Sequence, residues 1–481
     1  MQKRRPNILF LMADQMQASV LDPASPCPTP ALDRLAARGV RFANAYTPCP
    51  ICSPARASLM TGLLPHNHGV LEAIHAVDED QSVLRGDGPH WAQLLAEAGY
   101  RTGYFGKWHV ERSARLENFG WREYLVSESR SFGELLKERA AQRAMQGGAA
   151  GYERAKWIDG PPGYPRGLLY AVTGDPPECR GMGVVADFAE RFLERALASG
   201  EPWCCFVSFR EPHDPFVCGR AAFERIDAGS IALSPSRNDP LADRPGLYRR
   251  ARRIWSALTE RERYEAAACY YGTISELDGL IGRLVGKVDE AGQLDETIVV
   301  VTSDHGELLG AHGLYCKTIS AFEELYKIPL IVAGPGVARG VTSAARIGLH
   351  DLCPTIVEMT GVGRLETTDP VSFAQYLQDP GSPPPREEGF AEYHGGRYRV
   401  TQRVLWHGPW KLVFNGFDFD ELYHLEDDPW ELRNLAVDPQ YAGKHRELMG
   451  LLWEQVRVSR DRSLLHSHYP ALHLAEIGPG L

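Results

Sequence analysis

Apolar runs alternate with helical stripes along most of the chain. NILFLMA at 7–13 is continuous apolar sequence between Pro6 and Asp14, the pattern of a strand buried on both faces, and it leaves Asp14 at the strand's C-terminal end. Thr29 and Pro30 open a helix striped by Leu32, Leu35 and Ala36, which Gly39 closes, and a strand follows at 40–46. The alternation continues with a helix at 91–98, a strand at 100–105 and then GKWHV at 106–110. A helix at 184–198 precedes a strand at 203–209 and the loop EPHDPF at 211–216. A long helical stretch at 262–291, with Gly279 or Gly286 as the expected break, leads into a strand at 297–303 that ends in Asp304 and His305. A short buried strand at 329–333 and a helix at 351–360 complete the pattern.

Strands and helices in this order predict an α/β sandwich with a large, mostly parallel sheet. Four of the strands deliver polar residues just past their C-terminal ends, where open α/β sheets bind ligands. The pattern loosens at 111–183 and 217–258, read as long loops that recognise the substrate. DPGSPPPREE at 379–388 is the best linker, and it divides a large unit, 1–380, from a small one, 381–481. The small unit shows strands at 398–405 and 410–414 and a helix at 439–458. Its tail, 459–481, carries His466, His468 and Tyr469 without helical or strand period.

Composition narrows the function. At 481 residues the chain exceeds one ordinary core, and 44% apolar with 24% charged residues is soluble globular composition. A formal net charge of -10 excludes a nucleic-acid binder that works by a basic stripe, so an anionic ligand must be drawn in locally. No run reaches the roughly 18 apolar residues of a membrane span. The apolar run at 8–12 is too short for a signal-peptide core and ends in an aspartate, so the expected location is cytoplasmic. Ten cysteines without framework spacing are expected as free thiols, with Cys204 and Cys205 in the core.

The most informative stretch is PICSPARASLMTG at 50–62. Pro54 suits a helix's first turn, Gly62 its end, and Arg56 falls on the face of Cys52 four residues on. A cysteine at a helix N-terminus beside an arginine is a nucleophile in an anion site. The whole stretch resembles the signature of the type I sulfatases, the formylglycine-dependent branch of the alkaline phosphatase superfamily. The resemblance implies an alkaline phosphatase-like fold, a large mixed sheet sandwiched by helices, with a small C-terminal α+β domain containing an antiparallel sheet. It also implies that Cys52 is oxidised to formylglycine by a formylglycine-generating enzyme.

Asp14 and Gln15 at one strand end, with Asp304 and His305 at another, offer oxygen-rich ligation of a divalent cation. Oxygen ligands suit calcium or magnesium, while the imidazole and the amide also admit manganese. SDHGELLGAHGLYCK at 303–317 resembles the second sulfatase signature, and the resemblance favours Ca2+. It further implies that Lys107 and Lys317 contact the transferring sulfate, that Arg56 steadies the formylglycine hydrate, that His213 protonates the leaving alcohol, and that His109 deprotonates the second hydroxyl so that sulfate is eliminated. His66, His68, His75 and His312 are weaker candidates, read as loop or supporting residues, with His68 and His75 the two that could face the pocket.

Two positions depart from many sulfatases, which carry a second aspartate where this chain has Gln15 and an asparagine where it has His305. Gln and His occur there in related phosphonate and phosphodiester hydrolases, so a phosphonate monoester or phosphodiester hydrolase is the alternative. A non-catalytic anion binder is the third reading. The expected partner is a small-molecule sulfate ester of unspecified alcohol, and the tail is expected to pack on a neighbouring subunit of a homo-oligomer.

Overall fold

The computed structural model describes residues 5–85, 90–113, 115–145, 151–160, 163, 165–365, 367, 369–396, 399–466 and 475–478. The first apolar run becomes the strand Asn7–Asp14, buried throughout. It lies inside an eight-stranded sheet ordered Val341–Gly348, Gly39–Tyr46, Lys327–Ala333, Thr297–Ser303, Asn7–Asp14, Trp203–Pro212, Arg101–Gly106 and Glu123–Val126. Lys327–Ala333 runs antiparallel to both its neighbours, and the remaining pairings are parallel.

Alternate strand residues enter opposite apolar layers. Leu9, Leu11, Cys205, Val207 and Val301 pack with the helices Gly181–Ser199 and Glu260–Glu290. Ile8, Phe10, Cys204, Phe206 and Val300 pack with Cys52–Thr61, Trp91–Glu97 and Leu352–Thr360. Within the second layer Phe10 and Tyr104 both sit in register with Phe206 on the strand between them, with ring centroids 4.4 and 4.8 Å away. Such stacked pairs are worth about 0.5–1.5 kcal/mol each beyond burial. They pin the register of three strands whose ends carry polar residues.

Two expectations are corrected. Helix Glu260–Glu290 runs unbroken through Gly279 and Gly286, because its buried face, including Ile274, Leu277, Ile281, Leu284 and Val288, continues past both. The helix at the cysteine runs Cys52–Thr61 with Pro54 in its first turn, as expected, where a missing N–H is harmless. The stretches read as long loops contain the helices Arg130–Met145, Arg220–Arg225 and Gly246–Arg252, and a second sheet of Tyr152–Ile158, Gly167–Thr173 and Phe216–Gly219.

Beyond the linker, Glu388–Gly395, Arg399–His407, Trp410–Asn415 and Glu421–His424 form an antiparallel sheet. Helix Ala442–Val458 covers it, burying Leu448, Leu452 and Trp453 against Leu405 and Leu412. The tail holds a short helix, Arg462–Leu465, and His466 follows it; Tyr398, His468 and Tyr469 lie outside the described residues. No helix among the described residues is long and apolar enough to cross a membrane.

Candidate active site

The sheet order sets the C-terminal ends of Thr297–Ser303, Asn7–Asp14, Trp203–Pro212 and Arg101–Gly106 side by side. Asp304, Asp14, His213 and Lys107 are delivered there. Gly106 has φ +111°, and a Cβ on it would lie 1.9 Å from the Ser208 carbonyl oxygen. Glycine therefore lets the chain turn against the neighbouring strand, where Lys107 N donates to that same carbonyl at 2.9 Å.

Cys52 opens a helix buried at every residue. Its thiol is 3.6 Å from Asp14 Oδ1 and 3.2 Å from His305 Nε2. Burial alone would raise the Cys52 thiol, but Lys107, Lys317 and His305 outweigh it and hold it well below the ordinary thiol range. Asp14 follows the same logic: burial opposes its charge and the nearby Cys52 adds to that, yet Lys107, His213 and Arg56 keep it low.

Arg56 lies under the carboxylates rather than open to an incoming oxyanion. Its Nε donates to Asp304 Oδ2 at 2.8 Å and its Nη2 to Asp14 Oδ2 at 3.0 Å. Nη1 donates to Ser208 Oγ at 2.7 Å and to the Lys107 carbonyl at 2.9 Å. Lys107 Nζ also donates to Asp14 Oδ2. The two carboxylates are fully buried and compensated by two cations.

Gln15 sits beside them with φ +68°, a strained conformation for a side-chain-bearing residue. Its Nε2 donates to Asp214 Oδ1 at 3.0 Å and to Glu307 Oε2 at 2.5 Å, while its Oε1 accepts from Lys317 Nζ at 3.2 Å. Glu307 is anchored in turn by the backbone N–H groups of Leu309 and Cys316 at 2.8 and 2.6 Å. Burial pushes its carboxyl up to about 7. Asp214 and Glu307, inside the quoted motifs, and Ser208, in the strand before EPHDPF, join the site without having been singled out; their partners lie far away in sequence.

The histidines occupy the mouth. His213 Nδ1 donates to the Asp214 carbonyl at 2.7 Å, which leaves Nε2 to accept from Lys317 Nζ at 2.6 Å. The acid expected at His213 is thus coupled directly to an ammonium. His109, at φ +53°, is bonded through Nε2 to His75 Nδ1 at 2.7 Å. His66, His68 and His312 lie elsewhere: His68 pairs with Ser58 at 3.0 Å, and His312 with Asp239 at 2.8 Å. The site opens into a cleft of about 840 Å³ whose far walls include Phe132, Leu136, Ile319 and Tyr393. Helix Arg130–Met145 lines it, so part of a region expected to contact substrate does reach the cleft.

Comparison with known proteins gives this geometry a family. The family model described as Sulfatase matches residues 6–362, and that described as N-sulphoglucosamine sulphohydrolase, C-terminal, matches residues 310–458. A choline-sulfatase of Rhizobium meliloti is 31% identical, over 91% of this chain and 83% of its own length. An N-acetylglucosamine-6-O-sulfatase of Bacteroides thetaiotaomicron is 26% identical, over 95% of this chain and 87% of its own. The solved phosphonate monoester hydrolase of Silicibacter pomeroyi superposes with a TM-score of 0.77 at 25% identity, over 95% of this chain and 96% of that one. The chain belongs to the sulfatase family, the sulfuric ester hydrolases of the alkaline phosphatase superfamily.

Proposed function

We propose that this chain hydrolyses a sulfate ester to an alcohol and inorganic sulfate, using a formylglycine made from Cys52 and a divalent cation held by Asp14, Gln15, Asp304 and His305. The observation that carries this reading is the setting of Cys52, a helix-opening thiol against two buried carboxylates and His305, with Lys107 and Lys317 acting on it. Ligand atoms of Asp14, Cys52, Asp304 and His305, all buried, lie within 4.8 Å of one another, and once position 52 offers oxygen in place of sulfur, with the Gln15 amide beside it, the set suits a hard cation. Two carboxylates so close are costly unless cations balance them. Calcium matches the oxygen-rich set best, and magnesium and manganese are compatible with it.

When bound, such a cation supplies neutralisation of charge on the transferring group. The formylglycine, installed by a formylglycine-generating enzyme, supplies an oxygen nucleophile where the gene encodes a thiol. The remaining work falls to this chain's side chains. Lys107 and Lys317 present ammonium groups to the sulfate oxygens, preorganised charge that needs no rearrangement during reaction. His213, positioned by its contact with Lys317 Nζ at 2.6 Å, protonates the departing alkoxide. His109 takes the proton from the reacting group at position 52. Arg56 holds Asp14 and Asp304 in place beneath.

A phosphonate monoester or phosphodiester hydrolase is the second reading, favoured by Gln15 and His305 and by the likeness to a phosphonate hydrolase. The retained Lys107 and His109 of GKWH favour sulfate. The test is a screen of the matured protein against p-nitrophenyl sulfate, choline sulfate, sugar sulfates, a phenylphosphonate monoester and a phosphodiester. Highest kcat/KM on a sulfate ester is expected; highest kcat/KM on the phosphonate would move the assignment to the second reading.

A further inference from the structure

We propose that His75 is the proton exit of this site, carrying to solvent the proton that His109 takes from the reacting group at position 52. The inference rests on the sulfatase reading above. His109 is 8% exposed, so its own contact with solvent is slight. Its Nδ1 is buried without a hydrogen-bond partner among the described residues, and its Nε2 is 2.7 Å from His75 Nδ1. The rings lie 4.9 Å apart at 22°, nearly parallel. His75 is exposed and lines the same cleft.

The contact is built rather than incidental. The residue before His75 is tied on both sides: Ile74 N donates to Ser53 Oγ, on the helix of Cys52, at 3.3 Å. The Ile74 carbonyl accepts from Arg112 Nη2, just beyond the loop of His109, at 2.8 Å. His75 therefore moves with the two elements that carry the nucleophile and its base.

An imidazole–imidazole hydrogen bond holds one proton between two lone pairs. Once His109 gains a proton it must donate from Nε2 into His75 Nδ1. The balanced sequence has no redox change. The O–H bond at position 52 breaks and an N–H bond forms on His109 Nδ1, while the released electron pair re-forms the aldehyde C=O as the C–O bond to sulfate breaks and sulfate leaves; a proton crosses from His109 Nε2 to His75 Nδ1; the His75 Nε2 proton leaves to water or buffer. His75 touches no reacting atom and acts through His109, as a positioning and relay residue.

The test is stopped-flow kinetics of matured wild type, His75→Ala and His75→Gln on p-nitrophenyl sulfate, with and without added imidazole. The relay predicts a burst of about one equivalent of nitrophenol in both variants, then turnover slowed about ten- to a hundredfold. Imidazole restores His75→Ala turnover, because a diffusing base replaces the missing ring, and His75→Gln, whose amide fills the space, responds less. Unchanged turnover in His75→Ala overturns the proposal, as does a loss of burst and steady-state rates together without response to imidazole, the signature of a packing role. A matured wild type that turns over no sulfate ester overturns the sulfatase reading and the relay with it.

Discussion

Glu307 and Asp214 decide which atom of the Gln15 amide faces Lys317 beside the proposed cation site. With Asp214 and Glu307 both accepting from Nε2, the amide cannot flip without setting its oxygen against two carboxylates. Replacing Glu307 by Gln removes one of these constraints and lets a second amide compete. Partners of this kind typically change metal affinity 10- to 100-fold, so Glu307→Gln is expected to weaken calcium binding, measured by calorimetry, by about that factor. Unchanged affinity would mean that Asp214 alone orients the amide. Cys52, Asp14, Lys107, His109, His213, Asp304 and Lys317 were readable from sequence because each stands in a short motif at a strand or helix end. Glu307 was not, because its role exists only through Gln15, 292 residues away in sequence. Arg56 was found, but its aim was misread: its donors are committed to Asp14, Asp304, Ser208 and the Lys107 carbonyl, partners that only folding brings together.

At the scale of elements, buried ones were legible and exposed ones were not. Strand Thr297–Ser303 is buried throughout around the apolar run 298–301, and its bounds follow from sequence. Helix Arg130–Met145 buries only Phe132 and strand Tyr152–Ile158 is mostly exposed, so neither leaves an apolar period to read. The reverse error occurred in Glu260–Glu290, where two glycines suggested a break that packing overrides. A Cβ at Gly279 or Gly286 meets nothing within 4 Å, and both backbones are helical. Gly279→Ala and Gly286→Ala should each raise stability by up to about 1 kcal/mol, read as a higher urea midpoint at unchanged slope. A lower midpoint in both would show that the flexibility at those positions is used.

At the scale of the molecule, buried ion pairs cross the linker, and we propose that 1–380 and 381–481 fold as one cooperative unit. Lys411 bonds to Glu323 at 3.0 Å and to Glu431 at 2.7 Å, and Tyr248 donates to Glu421 at 2.7 Å. His66, just past the helix of Cys52, bonds through Nδ1 to Glu392 and through Nε2 to the Ser459 carbonyl at 2.8 Å. Both partners accept, so both nitrogens carry protons and the ring is a cation. Burial disfavours that charge, but Glu392 more than compensates and raises the His66 pKa from 6.5 to about 9. A raised histidine pKa contributes stability that is complete below the unfolded value and lost as pH climbs through the folded one. The melting-point gap between wild type and His66→Gln should therefore narrow from pH 6.5 to about pH 9. A gap constant across that window would remove His66 as a charged clasp between the two units.

The central claim is that position 52 works as an aldehyde made from cysteine. Peptide mass spectrometry of active protein, produced with and without a formylglycine-generating enzyme, tests it most directly when paired with sulfate-release assays of the same samples. Formylglycine at position 52 is expected, with activity proportional to its fraction. Full activity from protein whose Cys52 is an unmodified thiol throughout would contradict it.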